Sequence, residues 1–134
     1  MKKNITIALA ILLATVTWTS CKKHAPVDED GLLITTRRDC YVSNFELLGT
    51  DFVSVRVGAP VIDTTEQTVK VTVQFGADLK NLYPQFTLAQ DCKLDPKITG
   101  LTDFSDTLNH KKWTVISGDR NVKKTYSVII SVQP

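Results

Sequence analysis

The chain has 134 residues and suits one domain; its 16 basic and 14 acidic side chains leave a formal net charge of +2. Lys2 and Lys3 precede the first apolar run, and without them the basic groups equal the 14 acidic ones. Such a balance lacks the clustered basic excess of a nucleic-acid partner, while an apolar content of 43% can fill an ordinary globular core.

The first element is the apolar run Ile5–Val16, 12 residues long. A membrane-spanning helix needs roughly 20 such residues, and the apolar part of a secretion signal needs about 7 to 15. The run ends in Trp18-Thr19-Ser20-Cys21. That ending resembles a bacterial lipobox, which implies a diacylglycerol on the Cys21 sulfur and cleavage just before it. The family prefers leucine three residues ahead of the cysteine, where this chain has Trp18; Thr19 and Ser20 fit. The other reading is an uncleaved anchor with a chance cysteine. Two or more acyl chains hold a protein firmly to a bilayer, at about 0.8 kcal/mol per buried CH₂.

The expected division is a signal peptide over 1–20, a lipidated cysteine with flexible tether over 21–38, and a folded domain over 39–134. Lys22–Asp30 is charged, contains Pro26 and has Val27 as its one large apolar residue, too little to order itself by burial. Lys22, Lys23 and Asp28-Glu29-Asp30 resemble a loose version of the signal that sends lipoproteins of Bacteroidota-type bacteria to the outer face of the outer membrane. The acidic trio sits late for that signal, so the periplasmic face stays open, as does a plain solvated linker.

From Leu32 onward the apolar period is two, the signature of half-buried strands. Val53, Val55 and Val57 alternate in Val53–Val57. In Tyr41–Leu48, Phe45 and Leu47 share Tyr41's face. Thr68–Phe75 sets Val69, Val71, Val73 and Phe75 on one side. Gln85–Leu94 puts Phe86 and Leu88 with Cys92, Lys111–Ser117 sends Trp113 and Val115 inward, and Thr125–Val132 aligns Tyr126, Val128, Ile130 and Val132. Gly49-Thr50-Asp51, Gly58-Ala59-Pro60, Gly76-Ala77-Asp78, Asp95-Pro96 and Ser117-Gly118-Asp119 are turn chemistry. About seven short strands with such punctuation predict an all-β, antiparallel immunoglobulin-like sandwich whose last two strands form a hairpin across Gly118–Lys123.

The order of Phe45-Glu46-Leu47, VKVTVQFGADLKNLYPQFTL, LDPKITGLTDFSD and WTVISGDRNVKKTYSVIISV resembles an immunoglobulin-like module, largely of unknown function, found in lipoproteins of gut Bacteroidota. The matching positions include Phe75, Gly76, Asp78, Leu79, Leu82, Pro84 and Phe86; Pro96, Gly100, Asp103, Phe104 and Ser105; and Trp113, Val115, Ser117 and Tyr126. The likeness spans roughly Cys40 to Val132. It implies a non-enzymatic surface or periplasmic module that accompanies polysaccharide uptake, adhesion or surface assembly. Its motif positions serve turns and packing, so it carries over no binding residue.

Cys40 and Cys92 are the thiols left once Cys21 is acylated. In an oxidising compartment they either bridge, closing a long loop worth about 4 kcal/mol in the chain-entropy model, or stay two separate buried thiols. Two thiols without histidine neighbours do not make a zinc site. His110 would have to serve any catalytic triad, yet no nucleophile elbow is present. Asp95, Asp103 and Asp106 lack the calcium-loop pattern and read as loop caps. Aromatic rings that stack sugars are the remaining candidates: Tyr83 and Phe104 in loops, and Trp113, which the strand face assigns more readily to the core. Lys111, Lys112, Lys123 and Lys124 flank the last hairpin and read as protection of an edge strand, with anionic sugars as the other reading. The expectation is a non-catalytic, cofactor-free module on the outer membrane. It faces the cell surface more than the periplasm, held by lipid at Cys21, and serves as an accessory in polysaccharide capture. The alternative is a structural or adhesive subunit that contacts other envelope proteins. Nucleic acid is not among the expected partners.

Overall fold

The computed structural model describes residues 24–134. The leader, Cys21, Lys22 and Lys23 lie outside the described residues. The described residues form seven strands: β1 (Val42–Leu48), β2 (Val61–Asp63), β3 (Thr68–Val73), β4 (Tyr83–Leu88), β5 (Lys93–Asp95), β6 (Lys111–Ile116) and β7 (Lys123–Val132). They form two sheets, β1-β4 and β2-β3-β7-β6-β5, and no helix occurs among the described residues. The expected sandwich of about seven strands is what the chain forms.

Four of the five strand pairings are antiparallel, and β3 with β7 is parallel. That pair corrects the wholly antiparallel expectation. After β3 the chain crosses to the other sheet as β4, and β7 later enters between β3 and β6. Alternation specifies which face a residue takes but not which way the neighbouring strand runs. The last hairpin forms as read: Ser117 N donates to Val122 O at 2.9 Å, and β6 pairs with β7 from Lys111↔Val128 to Ile116↔Lys123.

The core follows the period-two faces. Val69, Val71 and Val73 of β3, Trp113 and Val115 of β6, Tyr126, Val128 and Ile130 of β7, and Phe45 and Leu47 of β1 are all buried. Four rings bridge the layers: centroids are 4.7 Å apart for Phe45–Phe86, 5.2 Å for Phe86–Trp113 and 6.0 Å for Phe104–Trp113. Each such pair adds about 0.5–1.5 kcal/mol beyond area burial. Tyr126 is fully buried, and its hydroxyl has no partner in hydrogen-bonding geometry.

Three local expectations change. Tyr41 is 43% exposed and Val42 is 2% exposed, because an irregularity in the pairing places an extra residue, Ser43, on β1 between Val42↔Leu88 and Asn44↔Thr87. A bulge reverses the parity of everything before it. Phe75 is 83% exposed, since β3 stops at Val73 and the backbone turns at Gly76 (φ 81°). Val53–Val57 is not a strand of either sheet but a link between them: Val55 N donates to Leu47 O of β1, and Gln74 N to Val55 O.

Residues 26–37 of the expected tether pack against each other and the domain. Val27 bridges Leu33, Ile34 N donates to Pro26 O at 2.8 Å, Thr35 N to Gly118 O, and Asp119 N to Arg37 O. Gly118 permits this closeness. A Cβ there would collide with Thr35 Oγ1 and lie 2.9 Å from Asp91 Cβ and 3.2 Å from Arg37 O. Gly118→Ala should therefore lift residues 35–37 off the hairpin at a cost of about 1–3 kcal/mol. Urea unfolding with amide exchange at Thr35 checks it.

Candidate functional site

The outward side of the two-stranded sheet collects the groups a polar ligand needs. Cross-strand partners there are Asn44↔Thr87, Glu46↔Gln85 and Leu48↔Tyr83, while Phe45↔Phe86 and Leu47↔Pro84 face the core. Beyond Leu48 the turn Gly49–Phe52 closes by a Phe52 N to Gly49 O bond of 3.0 Å. Phe52 takes φ 58°, which throws its ring outward at 67% exposure. It meets Tyr83 edge-on, centroids 6.0 Å apart. A half-exposed aromatic pair thus ends a row of amide, carboxylate and hydroxyl groups. The row is held in place: Ser54 Oγ donates to Glu46 Oε1 at 2.7 Å, Arg56 Nη2 pairs with Glu46 Oε2 at 3.3 Å, and Arg56 Nη1 donates to Phe45 O at 2.8 Å. The Glu46–Arg56 pair also cancels the charge of the face.

Of the three aromatic residues singled out in the sequence, only Tyr83 is on this face. Phe104 and Trp113 are 3% and 5% exposed. Their rings stack on each other and, through Trp113, on Phe86, so they build the core rather than a ligand surface. Trp113 does touch the wall of an open cavity of about 260 Å³ between the Pro96–Thr102 loop and the start of β6. Phe52 was missed; its one signal was an aromatic ending the turn sequence Gly49-Thr50-Asp51.

The other polar residues take structural roles. Asp103 accepts from Ser105 N at 2.8 Å, and Asp106 from Leu108 N at 3.0 Å and Asn109 N at 3.1 Å, as loop caps do. His110 is exposed next to β6. Lys111 and Lys112 lie on the part of β6 outside its pairing with β5, and Lys123 and Lys124 on the part of β7 ahead of its pairing with β3; each stretch is paired on one side only, an open edge of the kind lysine protects. Cys40 and Cys92 are free thiols in contact with each other. Cys40 Sγ donates to Val115 O at 3.1 Å and Cys92 Sγ to Asp39 O at 3.0 Å, and burial pushes both thiols above their usual range.

A second cluster lies at the opposite end, where the arm meets β5 and the β6–β7 turn. Asp28 Oδ2 accepts from Lys93 Nζ at 2.8 Å and Arg120 Nε at 3.0 Å; its Oδ1 accepts from Asp30 N at 3.0 Å and Leu32 N at 2.9 Å. Asp30 bonds Lys93 at 3.0 Å and Lys97 at 2.8 Å. The Lys93 hydrogen bond holds the Asp28 carboxyl well below the usual range, and Asp28 in turn holds Lys93 above its own. The Asp28 contribution is complete above its unfolded pKa of about 3.9 and fades only as pH falls through the lower folded value; that of Lys93 is complete below about 10.4 and fades as pH rises through the higher one. Amide protection at Leu32 and Ile34 should accordingly survive a drop from pH 7 to roughly pH 4. Asp28→Asn should abolish that protection at both pH values.

The family described as "SGBP, N-terminal" matches residues 50–130. The chain belongs to the SGBP N-terminal family. The family is a glycan-binding domain family. Solved structures share the fold. One is a candidate glycoside hydrolase from Bacteroides thetaiotaomicron, at 24% identity and TM-score 0.58, covering 71% of this chain and 25% of that one. Another is a candidate secreted protein from Bacteroides fragilis, at 11% identity and TM-score 0.52, covering 72% of this chain and 97% of that one. A third is a DUF4623 family protein from Bacteroides eggerthii, at 15% identity and TM-score 0.52, covering 72% of this chain and 22% of that one. The match thus spans a quarter of the hydrolase's length. Comparison with curated proteins finds no match. The SGBP N-terminal match begins at Thr50 and so takes in Phe52, Tyr83 and Gln85.

Proposed function

We propose that this SGBP N-terminal domain is a lipid-anchored, non-catalytic module of the outer membrane. It captures a neutral glycan on the outer face of β1 and β4, as an accessory to polysaccharide uptake. The observation that carries the reading is the Phe52–Tyr83 pair at the end of a charge-cancelled row of Glu46, Gln85, Asn44 and Thr87. A sugar ring presents CH groups on its flat side and hydroxyls around its rim. The apolar side stacks on an aromatic face, and the hydroxyls bond to amide and carboxylate oxygens placed beside it. The lipid address rests on Ile5–Val16 and Cys21, and the glycan role on the family.

The deciding experiment is an array of neutral and acidic polysaccharides probed with the mature chain. Binding to neutral glycans supports the proposal. Silence across the array, with envelope proteins co-purifying from the native host, would replace it with the assembly-subunit reading. Intact mass measurement of protein from the host should find cleavage before Cys21 and an acyl mass on that residue.

A further inference from the structure

We infer that the folded arm, residues 26–34, is a lipid-facing surface that seats the domain on the bilayer. The inference rests on acylation at Cys21, and its partner is the lipid itself. Two observations meet here. The arm is a small hairpin that leaves Val27, Leu32 and Leu33 outward at 56%, 44% and 51% exposure. It is also locked against hiding them. Val27 and Leu33 are bridge partners, Asp28 N donates to Leu32 O at 2.9 Å, and Asp28 ties the hairpin to Lys93 and Arg120 of the body. Apolar side chains on a flexible tether could collapse onto the domain; these cannot.

The length of chain ahead of the hairpin identifies what covers them. Five steps separate Cys21 from Pro26, a reach of at most about 18 Å when fully extended. The headgroup layer on each side of a bilayer is roughly 5–8 Å deep. So short a tether keeps the hairpin within reach of that layer, where apolar side chains bury about 5–10 Å deep. The hairpin itself offers apolar contact rather than positive charge, since Arg37 and Arg38 beside it are paired with Asp91 and Asp119, and Glu29 stands outward at 84% exposure. β7 then runs away from this end for about 30 Å at roughly 3.3 Å per residue, parallel to β3, and the exposed Phe75 follows the far end of β3. Leu48 and Tyr83, at the far end of β1, point the glycan face the same way.

The test uses the full, lipidated chain in phosphatidylcholine vesicles carrying brominated acyl chains, which quench tryptophan at short range. Val27→Trp and Leu33→Trp report on the arm, Phe75→Trp reports on the far end, and the parent chain corrects for Trp113. Quenching roughly threefold greater at positions 27 and 33 than at 75 is expected from the depth difference. Equal quenching at all three positions, in chains that float with the vesicles and carry the acyl mass, overturns the seating while leaving the anchor intact. The same result accompanied by oxidation-footprint protection of Leu32 and Leu33 only in native envelopes would assign the surface to a protein instead. A chain that neither floats nor carries the acyl mass removes the anchor reading and the seating with it.

Discussion

Trp113→Ala should cost about 3–5 kcal/mol of stability and lower the midpoint of thermal unfolding by something near 15 °C for a domain of this size. Trp113 is 5% exposed and holds Phe86 and Phe104 against it from two sides. Through Phe86 it reaches Phe45 of the other sheet. Removing the indole leaves a void between layers that three neighbouring rings cannot refill without breaking their own contacts. Since domains hold only about 5–15 kcal/mol in all, the variant should populate unfolded chain at moderate temperature. Urea denaturation followed by far-UV circular dichroism measures it. A loss under about 1 kcal/mol would mean that the ring is not the inter-sheet contact described.

Tyr83→Ala acts on the other property. Tyr83 is half-buried at the start of β4 and pairs with Leu48, with Phe52 as its neighbour. Truncating a central aromatic contact in a binding surface costs at least about 2 kcal/mol, or roughly 30-fold in affinity. The thermal midpoint should move far less than for Trp113→Ala. Tyr83→Phe should keep most of the binding, because the ring face survives. Gln85→Ala should weaken binding several-fold by removing one hydrogen bond. Affinity electrophoresis in gels containing the best array glycan would rank all three. If Tyr83→Ala binds as the parent does while Lys112→Ala does not, the ligand sits near the cavity by the Pro96–Thr102 loop and not on the β1–β4 face.

The two experiments divide along a line visible in the sequence. Where apolar residues alternate in a continuous strand, as in Val69-Val71-Val73 or Tyr126-Val128-Ile130, the faces are legible because the pleat allows only two. Where the pattern is interrupted by geometry, it misleads. Ser43 is an unremarkable serine, yet as the extra residue in β1 it turns Tyr41 outward and Val42 inward. Phe75 continues an apolar alternation, but it already lies in the turn that Ala77 N closes on Gln74 O, and its ring stands in water. The candidate site suffers most from this. Ligand faces are assembled by register, and the pairing of Glu46 with Gln85 and Leu48 with Tyr83 joins residues nearly forty positions apart that no local rule connects. Phe52 is invisible for a further reason: a turn sequence gives its backbone but not the direction of the side chain that ends it. The arm misled on composition. Asp28, Glu29 and Asp30 look like solvated linker until Lys93 of β5 and Arg120 of the β6–β7 turn arrive to meet them.

The parallel pairing of β3 with β7 bears on the order in which the larger sheet assembles. The central strand of the larger sheet, β7, is the last of the seven described strands, so neither β3 nor β6 gains its inner neighbour until that segment has emerged. Contacts joining residue 68 to residue 127 are distant along the chain, and such topologies assemble slowly. Until β7 docks, β3 and β6 each present an unpaired inner edge, so the larger sheet closes as a late step of folding.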